Sequence, residues 1–349
     1  MRFSLTPEQE AFRETARRFL SDRVRVRDAI ELPGAHDPEL WKSIAAMGWL
    51  GVDVSEEHAG QGLTFVETAL LAEETGRALL PGPFTGALQF TSAIATAGTS
   101  QQRAELLPVV CSGESVVVAH LDAAPIRFVR NRLRGEVVAV ACGEAADRFV
   151  VLAESPSGPA LVVVKASEAA IEPVESADLT RPAAWVRFDG ARVEATLDGV
   201  RLDEARDRAR VLVAADAVGG ATRALEMAVA YAKDRVQFDR PIGSFQAVKH
   251  RAADAYRALE AARLATWYAA WSIANGAAGA STAACAAKAM AGDAFVRCAA
   301  DSIQIHGGIG FTWEHDAHLY YRRALADQAT LGDATAQREA IAAGVLDGA

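Results

Sequence analysis

Residues 235–246 read RVQFDRPIGSFQ and separate two long helical patterns. In residues 211–232, before this stretch, apolar residues advance by alternate steps of three and four, which is typical of one face of an α-helix. A second stripe of the same period follows in residues 248–259, with Ser244 as its expected N-cap. Long helices joined by a short turn, with small residues where they meet, predict an up-and-down helical bundle.

Outward from this turn, the chain divides into three parts by composition. The first part has helical patterns and opens with a capping box, in which Thr6 is the N-cap and Gln9 its reciprocal partner. The middle part contains short runs of β-branched residues, which predict the strands of a small sheet or barrel. In the last part, an alanine-rich helix near residues 282–305 and a short helix after Asp333 complete the bundle. We therefore predict an α+β fold with a helical domain (1–114), a β domain (115–205) and a C-terminal four-helix bundle (206–349).

Composition excludes several classes of function. The chain has 349 residues, 51% of them apolar, and 36 basic against 45 acidic residues give a net charge of −9. General affinity for nucleic acid is excluded, because phosphate binding needs a basic stripe. The charged N-terminus and the lack of an unbroken run of about 18 apolar residues lead us to expect a soluble, cytoplasmic protein. The four cysteines have neither disulfide-scaffold nor zinc spacing and are expected to be buried.

A second motif lies about sixty residues after the first and reads QIHGGIGF, residues 304–311. Its glycines allow the backbone to come close to a ligand. The first motif places a cation, an aromatic ring and two amides in one helix–helix turn. Together, the two motifs can hold the phosphates and the adenine of a dinucleotide.

At these residues the chain resembles the acyl-CoA dehydrogenases. That family pairs an R-x-x-F-G-x-x-I-x-x-F-Q turn with a Q-x-x-G-G-x-G-F turn, and its order of helical domain, β domain and four-helix bundle covers this whole sequence. Residues 40–52 and 73–77 are also similar to the family. The resemblance implies a flavoprotein oxidoreductase that binds FAD without a covalent bond, and in which the two bundle motifs reach the FAD of a neighbouring subunit.

Cofactor contacts are implied residue by residue. The resemblance assigns them to Arg235, Gln237, Phe238, Gln246, Gln304, Gly307, Gly308, Thr335 and Gln337. One residue departs from the motif, because Asp239 stands where the family has glycine. A carboxylate directed at a diphosphate would repel it, so we expect Asp239 to turn outward or to pair with Arg235 or Arg240.

The catalytic base of the family is a glutamate, found at one of two places, and neither holds one here. At the first place the chain has Ala209, followed by Arg210, which the resemblance makes a contact to the substrate. At the second, residues 330–337 read TLGDATAQ, and the base position falls on Leu331, Gly332 or Asp333. Asp333 imitates the family's E-G-T-S-Q pattern, but the favoured alternative makes it the N-cap of the last helix.

The β domain departs from the family as well. Residues 119–125 and 138–144 stand where these enzymes carry the hydroxyls and the indole that contact the flavin ring and the thioester, and those groups are missing here. We predict the partner chain of an α2β2 assembly, of the type that desaturates steroid side-chain or fatty acyl-CoA thioesters in actinobacteria. Electron-transferring flavoprotein is the acceptor that the resemblance implies. Two alternatives remain: a self-sufficient homo-oligomer with Asp333 as its base, and a structural paralogue without flavin.

For the remaining histidines, tryptophans and charged residues we expect no metal or catalytic role. No metal site is expected at His306, His315 and His318, because the H-E-x-x-H order is absent. Trp267 and Trp271 are expected in the core or at a subunit interface. The following residues are expected to be solvated: Glu73, Glu74, Arg77, Arg127, Arg130, Arg132 and Arg134.

Overall fold

The computed structural model describes residues 4–197 and 201–347. Within these ranges the α-helices are α1 (Pro7–Arg23), α2 (Val26–Ala29), α3 (Pro38–Ala46), α4 (Phe65–Arg77), α5 (Phe84–Ala97), α6 (Ser100–Cys111), α7 (Leu202–Asp234), α8 (Gln246–Ala274), α9 (Ala280–His306), α10 (Ala317–Ala329) and α11 (Ala334–Asp347). The strands are β1 (Val117–His120), β2 (Arg127–Val129), β3 (Arg132–Ala141), β4 (Arg148–Ser155), β5 (Gly158–Lys165), β6 (Ala170–Pro173), β7 (Ala183–Thr196), β8 (Val236–Gln237) and β9 (Arg240–Pro241). The predicted order of helices, strands and long helices is confirmed.

Two helix starts can be compared with the N-caps predicted for them. The capping box before α1 is confirmed, since the backbone N–H of Gln9 donates to the Thr6 hydroxyl (3.2 Å) and the Thr6 N–H donates to Gln9 Oε1 (3.0 Å). The predicted N-cap Ser244 is wrong. A 3₁₀ turn over Ile242–Ser244 precedes α8, and Phe245 occupies the N-cap position without a side-chain hydrogen bond. The N-cap therefore lies one residue later than predicted, at Phe245.

The chain forms two compact units. Unit 1 comprises Met1–Ser21, Ala69–Leu79 and Val213–Ala349, and unit 2 comprises Asp22–Thr68 and Leu80–Leu212. The division into three domains stays a prediction. All four cysteines are free and buried. No helix in residues 4–197 or 201–347 is both long and apolar enough to cross a membrane.

Unit 2 contains the sheet. Its strands pair in the order β1-β4-β2-β3-β7-β5, and β6 pairs with β7. Because β4 also pairs with β5, from Arg148 opposite Lys165 to Ser155 opposite Gly158, the sheet closes into a small barrel. Alternate residues of these strands point inward, and Phe149 and Phe188 meet edge to face inside, with ring centroids 6.5 Å apart.

Unit 1 is a helical bundle with small residues at its seams. A Cβ atom at Gly220 of α7 would stand 2.2 Å from the Phe295 ring of α9, so this glycine lets the two helices approach. At one end of the bundle, Ala228 and Ala232 of α7 pack with Ile305 of α9. The first motif begins three residues after Ala232, and Ile305 lies within the second motif, so this cluster holds the two motifs at the same end of the bundle.

Candidate functional site

The first motif forms a β-hairpin at the end of α7. Strands β8 and β9 pair with Val236 opposite Pro241 and Gln237 opposite Arg240. The two turn residues both have positive φ, 54° at Phe238 and 61° at Asp239. This is the geometry of a type I′ turn, which favours glycine at its second position, and it explains why the family has glycine where this chain has Asp239.

Side chains of this hairpin are open to solvent. Phe238 is 87% exposed, and Arg235, Gln237 and Gln246 are also exposed. Asp239 is exposed at the tip of the turn, in keeping with a carboxylate that turns outward. Arg240 lies over the ring of Phe245, 4.1 Å from its centroid, and so joins the hairpin to the start of α8.

The second motif begins where α9 ends. Gly307 adopts φ +66°, which a residue with a side chain rarely tolerates, and a 3₁₀ turn over Gly307–Phe311 follows. Beneath it, His306 is buried and its Nδ1 lies 2.8 Å from the Ser302 carbonyl oxygen. The His306 ring also packs against Tyr231 of α7, with centroids 4.6 Å apart. The contact brings the glycine turn to the end of α7, next to the hairpin.

This end of the bundle has room for an external group. A Cβ atom at Gly307 or at Gly308 would meet no atom of the described chain within 4 Å, so packing inside the chain does not require either glycine. Gln304 is exposed beside them. Large apolar side chains around the turn are exposed too, with Phe311 at 77% and Trp313 at 57%. Such a cluster of exposed apolar residues is typical of a ligand or protein interface.

The loop before α11 is closed by internal hydrogen bonds. Asp333 is exposed, and its Oδ1 accepts the N–H groups of Thr335 (3.0 Å) and Ala336 (2.9 Å). These are the contacts of an N-cap, so the capping alternative is confirmed. The role of Asp333 as a base stays a prediction.

Two buried side chains hold the same loop from inside. Gln337 is 2% exposed, and its Nε2 donates to the carbonyl oxygens of Leu331 (2.5 Å) and Gly332 (3.2 Å). Lys288 of α9, 1% exposed, donates to the Gly332 carbonyl at 3.1 Å. Gln337 is thus engaged within the chain, whereas Thr335 is exposed. The contact of Lys288 with this loop was not predicted from the sequence. The only sequence feature that indicates it is a lysine within an alanine-rich helix.

Arg210, the expected substrate contact, lies in unit 2. It is 9% exposed, and its Nη1 makes an ion pair with Asp207 Oδ1. Its Nε is buried and has no hydrogen-bond partner among the described residues. Ala209, at one of the family's base positions, is fully buried.

The expectation that Glu73 and Glu74 are solvated is wrong. Glu73 is 7% and Glu74 2% exposed, because α4 is apolar around these residues and packs inside unit 1. Glu73 accepts hydrogen bonds from Trp267 Nε1 (2.9 Å) and Arg263 Nε (3.3 Å). Glu74 accepts two from Arg17, at 2.6 and 2.8 Å. The groups line a polar cavity of about 330 Å³.

Burial of Glu73 leads to a prediction about pH. Burial raises the pKa of Glu73 above its ordinary value, and Arg263 and Trp267 offset part of this rise. The folded state therefore binds this proton more tightly than the unfolded state. The stabilisation is fully present below the unfolded pKa and is lost as pH rises through the folded pKa. We expect Glu73→Gln to flatten the fall in unfolding free energy above pH ~4.5, measured by urea denaturation across pH.

Glu105→Gln, a change at an exposed glutamate of α6, should leave the pH profile unchanged. Identical profiles for Glu73→Gln and the wild type would contradict this prediction.

The histidines do not form a metal site with other ligands. The described part of the chain has no group of three or more His, Cys, Asp or Glu residues arranged to hold an ion. His315 instead packs against His306, with ring centroids 4.2 Å apart, and its Nδ1 accepts the N–H of Ala317 at the start of α10.

Sequence comparison identifies the family. The acyl-CoA dehydrogenase N-terminal domain model matches residues 6–114, and the acyl-CoA dehydrogenase C-terminal domain model matches residues 201–346. The chain belongs to the acyl-CoA dehydrogenase family. The resemblance, the fold and the enzyme class, oxidoreductases that act on CH–CH groups, are thereby confirmed. Members of this acyl-CoA dehydrogenase family bind FAD.

Individual relatives are similar over their whole length. Acyl-CoA dehydrogenase IpdE2 of Mycolicibacterium smegmatis is 32% identical over 332 residues, which cover 94% of this chain and 96% of that protein. A variant of the steroid acyl-CoA dehydrogenase Tcur3481–Tcur3483 superposes with a TM-score of 0.91 at 31% identity, covering 98% of each chain. The ChsE4–ChsE5 complex from Mycobacterium tuberculosis gives a TM-score of 0.92 at 27% identity, covering 99% of each chain.

Proposed function

We propose that this chain is one subunit of a heteromeric, FAD-dependent acyl-CoA dehydrogenase that desaturates a steroid side-chain or fatty acyl-CoA thioester. It supplies the adenosine side of an FAD site whose reactive ring lies in a second acyl-CoA dehydrogenase-like chain. The observation that carries the proposal is a contrast within the bundle: the two motif turns are open, whereas the loop at the expected base position is closed.

The open end fits the nucleotide half of FAD. Arg235 offers a guanidinium to the pyrophosphate, and the amides of Gln237, Gln246 and Gln304 offer donors and acceptors. Gly307 and Gly308 leave the backbone accessible to a flat adenine. Thr335 is available at the surface, but Gln337 acts by holding the loop rather than by direct contact.

Neither of the two places where the family carries its catalytic glutamate holds a glutamate in this sequence. When bound, FAD accepts the hydride that leaves the β-carbon, and a carboxylate base must remove the α-proton. Ala209 cannot act as a base, and the Leu331 and Gly332 carbonyls accept hydrogen bonds within the chain. Asp333 uses one carboxylate oxygen to cap α11 at an exposed position. A second chain that carries the base would complete the site.

Relatives support the choice of a heteromer. ChsE4–ChsE5 is described as a complex, and Tcur3481–Tcur3483 as a steroid acyl-CoA dehydrogenase. Exposed Phe238 and Phe311 give this chain an apolar surface for such a partner. Electron-transferring flavoprotein is the proposed acceptor.

The test is the visible flavin absorbance per polypeptide. We expect almost none in the chain expressed alone, and about one FAD per two chains after co-expression with a second acyl-CoA dehydrogenase-like chain. Arg235→Met should release most of this flavin, because it removes the cation that faces the pyrophosphate. Arg134→Met, at an arginine whose side chain is 73% exposed on the barrel, is the matched control and should retain it.

Asp333→Asn separates the alternatives. Asparagine caps a helix as well as aspartate but cannot act as a base, so this variant should keep both folding and turnover of the complex. Full flavin occupancy in the chain alone, bleached by an acyl-CoA and no longer bleached in Asp333→Asn, would establish the self-sufficient enzyme instead. A stable, colourless oligomer under both conditions would establish a structural paralogue.

A further inference from the structure

Two cavities of unit 1 adjoin each other. The polar cavity of about 330 Å³ beside Glu73 shares part of its wall with a larger groove, of about 770 Å³, between α7 and α8. All residues that line the two belong to unit 1. Cavities of roughly 300–1,000 Å³ are typical of small-molecule sites. Four residues line both cavities: Thr222, Glu226, Glu260 and Arg263.

The groove is mainly apolar. Leu225 and Val229 of α7 line it together with Leu259 and Tyr256 of α8. Tyr256 is 58% exposed, so the groove is open to solvent on this side. An open groove with apolar walls accommodates the hydrocarbon part of a ligand, because burial of that part removes apolar surface from water.

The wall of the polar cavity contains four arginines and four glutamates. Each of these glutamates already has a guanidinium partner within the wall. The ion pairs join Arg263 to Glu73 and Glu260, Arg17 to Glu74, and Arg77 to Glu226. A cationic group on a ligand would have to compete with these guanidinium groups for a carboxylate, so the cavity does not favour a cation.

Arg13 of α1 differs from the other three arginines. Among the wall residues that the structure describes, it is the one arginine that has no glutamate of the wall as its partner. Only one of its five N–H groups is used, in a hydrogen bond from Nη2 to Glu10 at 2.6 Å, and its buried Nε has no partner among the described residues. Glu10 lies outside the wall with its side chain 44% exposed, where an ion pair is weak. Arg13 therefore gives the cavity a positive charge that an anion can compensate.

We propose that this site of unit 1 binds an amphipathic carboxylic acid, with its hydrocarbon body in the groove and its carboxylate beside Arg13. A guanidinium and a carboxylate form parallel, charge-assisted hydrogen bonds, which supply both affinity and orientation. An ammonium head would meet the Arg13 charge, and a neutral head would leave that charge uncompensated. None of the residues to which FAD contacts are assigned lines the site, so the inference does not depend on the proposed function.

The test compares decanoate with 1-decanol, which has the same chain without the charge. Isothermal titration is made on the full chain in the assembly in which it purifies, below the concentrations at which micelles form. We expect one decanoate per chain, bound at least about tenfold more tightly than decanol, the effect of a hydrogen bond between charged groups. Arg13→Gln should abolish this preference, because it removes the guanidinium.

Lys233→Gln is the matched control for the charge. Lys233 also lines the groove but lies about three turns along α7 from Thr222, away from the polar cavity. Its replacement should keep the preference for decanoate. A preference that is lost in Lys233→Gln, or kept in Arg13→Gln, would place the carboxylate elsewhere and overturn the inference.

A second pair of variants tests the groove. Ala230 is exposed and lines the groove, so Ala230→Trp should fill it without disturbing the core and should weaken decanoate binding at least about tenfold. Ala253→Trp, at an exposed position of α8 outside the lining, should leave binding unchanged. Three further results would overturn the inference: equal affinity for decanoate and decanol, tighter binding of decylamine, or no binding because a second protein chain covers the groove in the purified assembly.

Discussion

Asp216→Asn is expected to lower the free energy of unfolding by about 3–5 kcal/mol, the cost of breaking a buried ion pair by removing one partner. Asp216 of α7 and Arg323 of α10 are each 1% exposed. The Arg323 Nη1 atom lies 3.3 and 3.5 Å from the two carboxylate oxygens. Asparagine has almost the same shape, so packing is kept while the buried guanidinium loses the negative charge of Asp216 beside it.

The measurement is urea denaturation at neutral pH, with the midpoint and slope both reported. Asp254→Asn is the matched control, because Asp254 pairs with Arg297 at 3.3 Å but both side chains are about half exposed. Exposed pairs contribute at most about 1 kcal/mol, so this control should change little. Equal losses in the two variants would show that burial of the Asp216 pair has no energetic consequence. The double replacement Asp216→Leu with Arg323→Met should recover part of the lost stability, since it removes both charges.

Gly219→Ala is expected to cost at least about 3 kcal/mol, the upper end of the range for overpacking. A Cβ atom at Gly219 of α7 would stand 1.8 Å from the Glu73 carbonyl oxygen and 2.7 Å from the Arg77 nitrogen. These are backbone atoms of α4, so no side-chain rotation relieves the clash. The reciprocal contact has the same form, because a Cβ at Gly76 would lie 2.0 Å from the Asp216 carbonyl oxygen.

Gly344→Ala provides the control for this substitution. Gly344 lies in α11, and a Cβ there would meet no described atom within 4 Å. Alanine has the higher helix propensity, so this variant should gain about 0.5–1 kcal/mol. Opposite signs for the same chemical change would show that backbone contact between α4 and α7 determines the cost. A loss at Gly219 no larger than about 1 kcal/mol would contradict the contact.

The hairpin of the first motif could be predicted from residues that are neighbours in the sequence. The motif at residues 235–246 combines a charged residue, a ring and turn formers between two helical stripes, and the hairpin forms there. Thr6 and Asp333 cap helices as predicted, since a cap depends only on residues two or three positions away. The prediction of Ser244 as an N-cap is wrong, because residue types alone do not indicate the 3₁₀ turn before α8.

Burial was harder to predict than secondary structure. The doublet Glu73–Glu74 has the composition of a solvated helix surface, but α4 lies inside unit 1 and both carboxylates find cationic or N–H partners far away in sequence. The buried position of Lys288 is also not predictable from local sequence, because its ammonium group reaches the Gly332 carbonyl only after α9 and α10 pack together. Charged residues in the core are paired by tertiary contacts, and no local pattern reveals the partner.

The sequence by itself determined the family, the order of helices and strands and the positions of the two motif turns that we propose face a nucleotide, because each depends on short stretches of neighbouring residues. Only the tertiary structure decided which polar groups are inside: the Asp216–Arg323 pair, the closed loop around Gly332 and the contact of Glu73 with Arg263. Each requires chain segments distant in sequence to meet. Burial strengthens those contacts by excluding water, and exclusion of water is a property of the packed chain rather than of any one segment.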